Sequence, residues 1–389
     1  MRPLHPRFCF HVGLGALALG VAALLAPARA GAAAVIAYVG VGTESPTNAI
    51  YAFRYDEATG ALEPLGQVAT TPHAAFLAMH PSGRFLYAVN ESDAADRANG
   101  HTVTAFAVDG AGPGLKLLDV VPCGGDRPCH IAVDATGKFA FVANYGSGTL
   151  AALRIRPDGG LEAPEFVFQD PQPTSTLARQ REPHAHCVVL DPTNRFLYSC
   201  DLGADRVMIY RFDAAAGILS RNSPAAVAVP PGFGPRHLSF APGGRTVYVL
   251  NEIASQLIVF DRRLEDGALT MRQTLPTVPA DWTGPNTGSE IQADASGRFV
   301  YTSNRGQDSI AQFAVAPDGT VRLVGTTPCG KGPRYFTLDP AGKFMLVAEQ
   351  GGGAIRVFRV DPDSGALTPT ATRVPVGMPV TIVFGRPLP

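Results

Sequence analysis

The sequence predicts an all-β fold, a seven-bladed β-propeller of four-stranded antiparallel blades. Three observations predict it. Gly (42) and Pro (34) together make up 76 of 389 residues, close to a fifth, against a usual share of about 12%. Helix interiors exclude both residues, so the surplus points to short strands and turns. One turn-and-strand segment recurs six times along the chain, and the two chain ends resemble complementary parts of one further blade.

At the amino terminus, Arg2 and Arg7 precede an apolar run from Val12 to Ala26 that ends at Pro27. Ala28-Arg29-Ala30 follows, an Ala-x-Ala-like cleavage site. This is the tripartite layout of a secretory signal peptide. The run is also short for a membrane span, which needs about 20 residues. The expectation is a signal peptide at residues 1–30 and a single propeller domain at 31–389. The mature protein is then periplasmic or secreted, with no stable membrane insertion after cleavage. Arg2 and Arg7 are not adjacent, so a twin-arginine signal is not indicated.

The recurring segment runs His80-Pro-Ser-Gly-Arg-Phe-Leu-Tyr-Ala-Val-Asn90 in its first copy and Asp339-Pro-Ala-Gly-Lys-Phe-Met-Leu-Val-Ala-Glu349 in its last. The turn position before the basic residue is Gly83, Gly137, Asn194, Gly244, Gly297 and Gly342, spaced 45 to 57 residues apart. Gly and Asn suit a turn position with positive φ. A second strand type, with an apolar residue and an aromatic or Leu three later, appears seven times, from Ile50/Phe53 to Ile355/Phe358. Gly-x-Leu starts such as Gly60-Ala-Leu62 and Gly267-Ala-Leu269 open a further strand. A short strand precedes each repeated turn, as in Cys187-Val-Val-Leu190. Four antiparallel strands in about 50 residues, repeated, are a propeller blade.

The chain ends complete the count. Val35–Gly40 resembles a second strand without a first, and Pro379–Phe384 a first strand without a blade after it. Joined, they make a seventh blade and leave no open edge.

Five cysteines remain after the signal segment, too few and too scattered for a disulfide scaffold. Cys187 and Cys200 flank a turn centred on Thr193-Asn194 and so face each other. Either an oxidised pair or two buried thiols fits this spacing.

Lys plus Arg total 32 and Asp plus Glu 33, a net charge of −1. That balance gives no basis for a nucleic-acid or anionic-membrane partner. No phosphate loop, dinucleotide fingerprint or nucleophile elbow is present. No carboxylate cluster points to a metal, so no cofactor is expected.

In a propeller, the first strand of each blade lines the central channel. Here those strands begin with Pro and often carry His or Arg next: Pro128-Cys129-His130, Pro183-His184-Ala185-His186, Pro235-Arg236-His237 and Pro333-Arg334. The antiparallel second strands end beside them, at Asn251-Glu252 and Asn304-Arg305 among others. Both sets fall on one face, at the channel mouth, where a ligand site is expected. His184 and His186 alternate faces on a strand, so only one of them points inward. Pro and Asn at strand ends are otherwise explained by turn chemistry.

These residues carry a resemblance. Val142–Gly148, Pro183–His186, Gly234-Pro-Arg-His237 with Asn251-Glu252, Ser303–Gly306 and Gly332-Pro-Arg334 are similar to segments of the seven-bladed propeller lactonase family. That family includes cycloisomerase-type 6-phosphogluconolactonases and carboxy-cis,cis-muconate cyclases. The resemblance covers about Val35 to Phe384. It implies catalytic roles for Glu252, Arg236, His184 and Arg305. His237, His186, His130, Arg334 and Glu290 are then expected to bind substrate. Many members carry His two residues after the Glu of the fifth inner strand, where this chain has Gln292. The implied activity is hydrolysis of a sugar lactone, with a small lactone or organic acid as partner molecule. A carboxymuconate-type cycloisomerase and a non-catalytic exported propeller binding a ligand or protein remain open alternatives. The oligomeric state is not legible.

Overall fold

The computed structural model describes Met1 and residues 34–387, except 43–48, 92–100, 111, 174 and 176. The expected signal peptide at residues 1–30 otherwise lies outside them. The described strands form seven antiparallel sheets of four. Six sheets are built from consecutive strands. The seventh joins Pro379–Pro387 to Ala34–Val41, Ala49–Asp56 and Ala61–Thr70, with Tyr38 opposite Val383. The chain is thus the predicted seven-bladed propeller, closed by its own two ends.

The repeated turns form for local reasons. Asn194 sits at φ 57°, in the left-handed region where the other five copies carry Gly. Asp191 opens the same turn, and its Oδ1 accepts the N–H groups of Arg195 at 2.9 Å and Phe196 at 2.7 Å. Those bonds satisfy the donors that the turn leaves without strand partners. Behind each turn the second strand is almost wholly buried, as in Phe139–Asn144 and Phe344–Glu349.

Seven apolar clusters fill the seven blade-to-blade interfaces. Tyr87 and Val89 of one blade, for example, pack with Val142 and Leu153 of the next. Tyr38 and Ile50 of the closing blade pack with Leu77 and Phe106. A tyrosine latch recurs across these interfaces. Tyr87, Tyr198 and Tyr301 each donate from the hydroxyl to a glycine carbonyl of the following blade (Gly159, Gly267, Gly365) at 3.0, 2.6 and 2.7 Å. The buried hydroxyls are thereby satisfied.

Cys187 and Cys200 are register partners, as their spacing predicts. Both are buried and free. The ladder runs to Leu190 opposite Leu197, and the Asp191 N–H donates to the Phe196 carbonyl at 2.8 Å to close the turn around Thr193-Asn194.

One irregularity positions the site. The inner strands that start at Pro128, Ala185, Pro235 and Pro333 each carry a bulge at their second residue. The extra residues are Cys129, His186, Arg236 and Arg334. A bulge breaks the two-residue alternation and re-aims a side chain.

Candidate functional site at the channel mouth

Glu252 follows the second strand of the fourth blade and is only 4% exposed. Three guanidinium groups converge on its carboxylate. Arg179 Nη1 lies 2.7 Å from Oε1, while Arg236 Nε and Arg305 Nη2 lie 3.0 and 3.1 Å from Oε2. The Arg236 contact is an ion pair rather than a linear hydrogen bond, because its N–H is not aligned with the acceptor. His186 Nε2 approaches the same oxygen at 3.7 Å.

Burial pushes the Glu252 carboxyl up, but the guanidinium charges of Arg305, Arg236 and Arg179 outweigh it and hold it well below the usual carboxylate range. Glu252 is therefore an anion at neutral pH. Burial, then Arg236, pushes the His186 imidazole well below its ordinary value, leaving it neutral. Burial brings Arg305 down to about 9, still protonated at neutral pH.

A cavity of about 220 Å³ opens beside these groups, lined also by Glu91, Arg127, Arg334 and Tyr145. Arg127 Nη2 reaches Glu91 at 3.4 Å and Arg334 Nη2 reaches it at 3.9 Å. Four arginines against two glutamates leave the lining with a formal charge of +2. The buried Nε–H groups of Arg127 and Arg305 have no partner among the described residues. Unpaired buried donors are costly, and an oxygen-rich ligand removes that cost. A cavity of about 250 Å³ beside Gly83 and Arg386 is larger, so convergent charge and not volume marks the mouth.

The structure brings Glu252, Arg236, Arg305, His186 and Arg334 together, but it places His184 elsewhere. That residue precedes the strand Ala185–Leu190, and its ring stacks on Tyr145 at 4.3 Å and 6°. Its Nδ1 contacts the Tyr145 carbonyl at 2.8 Å, outside the cavity lining. His186 occupies the position by Glu252 instead. His237, His130 and Glu290, which were expected to bind substrate, lie outside this cavity's lining. They are buried beneath it. The rings of His130 and His237 meet edge-to-face at 5.2 Å.

Sequence reasoning missed Arg179 and Arg127, and it placed Glu91 on the rim among the second-strand ends without giving it a role. Arg127 precedes an inner-strand Pro and Glu91 follows a second-strand Asn, so repeat position alone marks both. Arg179 has no such mark. It sits on a single 3-10 turn, Ala178–Gln180, inside the 170–184 connection. Gln180 anchors that turn by donating to the Leu202 carbonyl at 2.8 Å.

The fold is a closed seven-bladed propeller, and it carries a cationic cavity centred on a buried carboxylate. The chain belongs to the family described as "Lactonase, 7-bladed beta-propeller", whose model matches residues 36–384. It is 30% identical over 353 residues to a 6-phosphogluconolactonase of Bacillus subtilis, covering 90% of this chain and 98% of that one. A 6-phosphogluconolactonase of Formosa agariphila is 30% identical over 336 residues, covering 85% and 94%. The solved periplasmic gluconolactonase of Pseudomonas aeruginosa superposes with a TM-score of 0.85 at 34% identity, covering 91% of this chain and 99% of that one.

Proposed function

We propose that the protein hydrolyses the ring ester of a sugar-acid lactone in the channel-mouth cavity. The observation that carries this reading is the Glu252 carboxylate, ringed by Arg179, Arg236 and Arg305 and touched by neutral His186. Arg305 lines the cavity, and its free Nε–H suits the oxyanion that forms when water adds to the lactone carbonyl. Neutral His186 takes the proton from that water, and Glu252 stabilises the resulting imidazolium. Collapse of the adduct breaks the ring C–O bond. The imidazolium returns its proton to the departing alkoxide, giving a hydroxy acid. A bound anion offsets the +2 lining and so raises the basicity of His186 at the moment it is needed.

Arg236 is 3% exposed and works from behind Glu252 rather than on the substrate. The cationic lining favours a lactone that carries a phosphate or carboxylate. The described residues contain no helix long and apolar enough to cross a membrane. Export fits the signal-like amino terminus and the periplasmic origin of the Pseudomonas neighbour. Cell fractionation with amino-terminal sequencing tests it, and a cytoplasmic protein retaining residues 1–30 rejects it.

The central test is a panel of an aldonolactone, its phosphate ester, a carboxylated lactone and a muconate-type diacid. Ring opening by the wild type is expected to fall by about 10²–10³ in Arg305→Ala. Turnover of the diacid alone supports a cycloisomerase. Thermal stabilisation by a lactone without turnover supports a binding propeller.

A further inference from the structure

On the face opposite the channel mouth, one tyrosine lacks its latch. Tyr38 holds the place in Ala34–Val41 that Tyr87 holds in Phe85–Asn90. Tyr38 pairs with Ala52 just before Phe53, and Tyr87 with Ala105 just before Phe106. Tyr87 donates to the Gly159 carbonyl of the following blade at 3.0 Å. Tyr38 is as fully buried as Tyr87, yet its hydroxyl has no partner among the described residues. Burial, then Asp109, pushes that hydroxyl up to about 12, so it keeps its proton at neutral pH and can donate.

Tyr38 lines the cavity of about 250 Å³ beside Gly83 and Arg386. Ile36, Val108 and Pro387 give this cavity apolar walls, and Arg84 and Arg386 give it two guanidinium groups. Asp109 is its one carboxylate among the described residues, so the lining carries a formal charge of +1. Neither arginine is in an ion pair among the described residues; Arg84 lies over the Phe85 ring at 5.1 Å. Gly83 lets Arg386 cross the turn, because a Cβ there would sit 2.5 Å from Arg386 Cγ. Gly83 and Glu91 lie beyond opposite ends of the strand Phe85–Asn90. By strand rise they are roughly 25 Å apart, so this cavity is separate from the mouth.

We propose that this cavity binds a small organic carboxylate. Arg84 and Arg386 meet its charge, the Tyr38 hydroxyl donates to one of its oxygens, and Ile36, Val108 and Pro387 cover an apolar body. A buried donor without a partner is costly, and an acceptor in the cavity removes that cost. Two guanidinium groups select an anion over a neutral molecule. The apolar walls select an organic anion over an inorganic one. The ligand would bridge the last strand, Pro379–Pro387, to the first, Ala34–Val41, and both to Arg84 of the next blade. It therefore braces the seam where the two chain ends close the ring, and binding to the folded form alone raises stability. The site does not depend on the lactonase reading.

The test titrates benzoate into the full mature protein by ligand-observed NMR, with benzamide and inorganic phosphate alongside. Saturable benzoate binding is expected, with Kd raised about tenfold in Tyr38→Phe and in Arg386→Ala and unchanged in Arg305→Ala at the mouth. Benzamide and phosphate are expected to bind at least about tenfold more weakly than benzoate. Tyr38→Phe removes only an unpartnered hydroxyl, so without ligand its Tm is expected to hold or rise. Tyr87→Phe loses a made hydrogen bond, and its Tm is expected to fall. Absence of saturable benzoate binding overturns the proposal, as does equal affinity in wild type and Tyr38→Phe. Benzamide or phosphate binding as tightly as benzoate overturns the ligand class. Loss of binding in Arg305→Ala but not in Arg386→Ala puts the anion at the mouth and overturns the second site. A Tm that falls in Tyr38→Phe as in Tyr87→Phe overturns the claim that the hydroxyl is held for a ligand. None of these outcomes depends on whether the protein opens lactones.

Discussion

Replacing Glu290 by Gln has a consequence for stability that is separate from any turnover. Burial raises this carboxyl from 4.5 to about 7. Between those values the folded protein keeps a proton that the unfolded chain has released. The stabilising contribution is therefore complete below about pH 4.5 and is lost as pH rises through 7. A shift of this size corresponds to about 3 kcal/mol. An unfolding entropy of about 2.1 cal/mol/K per residue gives about 0.8 kcal/mol/K for a chain of this length, so the Tm effect is about 4 °C. Gln is neutral throughout and carries no such cost. Circular dichroism melts of both proteins at pH 5 and pH 8 measure it. The Tm of the variant minus that of the wild type is expected to grow by about 4 °C from pH 5 to pH 8. The contribution from His186, which Glu290 does not perturb, is common to both proteins and cancels. A difference equal at the two pH values refutes the reasoning.

Three further outcomes are expected. Arg179→Ala should raise KM for an anionic lactone several-fold and move Tm by less than about 2 °C, since its side chain is 48% exposed and such pairs contribute little to stability; melts and initial rates measure both. Arg262 pairs with Asp191 at 2.6 Å with both side chains fully buried. Arg262→Met strands that carboxylate and should cost about 3–5 kcal/mol, seen as a lower Tm with unchanged activity per folded molecule. Cys187 and Cys200 should resist alkylation in the native protein and react in denaturant without reductant; an intact mass two hydrogens short rejects free thiols.

The architecture was legible because it repeats. Six copies of one turn, with Gly or Asn where φ is positive, fix where second strands begin. The complementary ends around Val35 and Pro379 imply closure. Turn chemistry acts over four or five residues, so it is written locally. Half of the site was legible for the same reason: Arg236, Glu252, Arg305 and Arg334 occupy repeat positions that geometry brings to one rim. Alternation left open which of His184 and His186 points inward, and pairing across strands puts His186 in the cavity lining while His184, just before its strand, stacks on Tyr145.

The amino-acid sequence alone determined the blade count, the closure by the two termini and the rim where charged residues gather. These follow from periodic patterning and turn residues, which need no knowledge of distant contacts. Only the tertiary structure decided which rim residues meet. Arg179 reaches Glu252 from a connection with no counterpart in the repeat. Bulges at the second residue of the inner strands let Arg236 and His237, adjacent in sequence, both serve the channel. A bulge adds one residue to one strand against its partner and leaves no composition mark. The side-chain facing is set by pairing across strands that the linear order does not show.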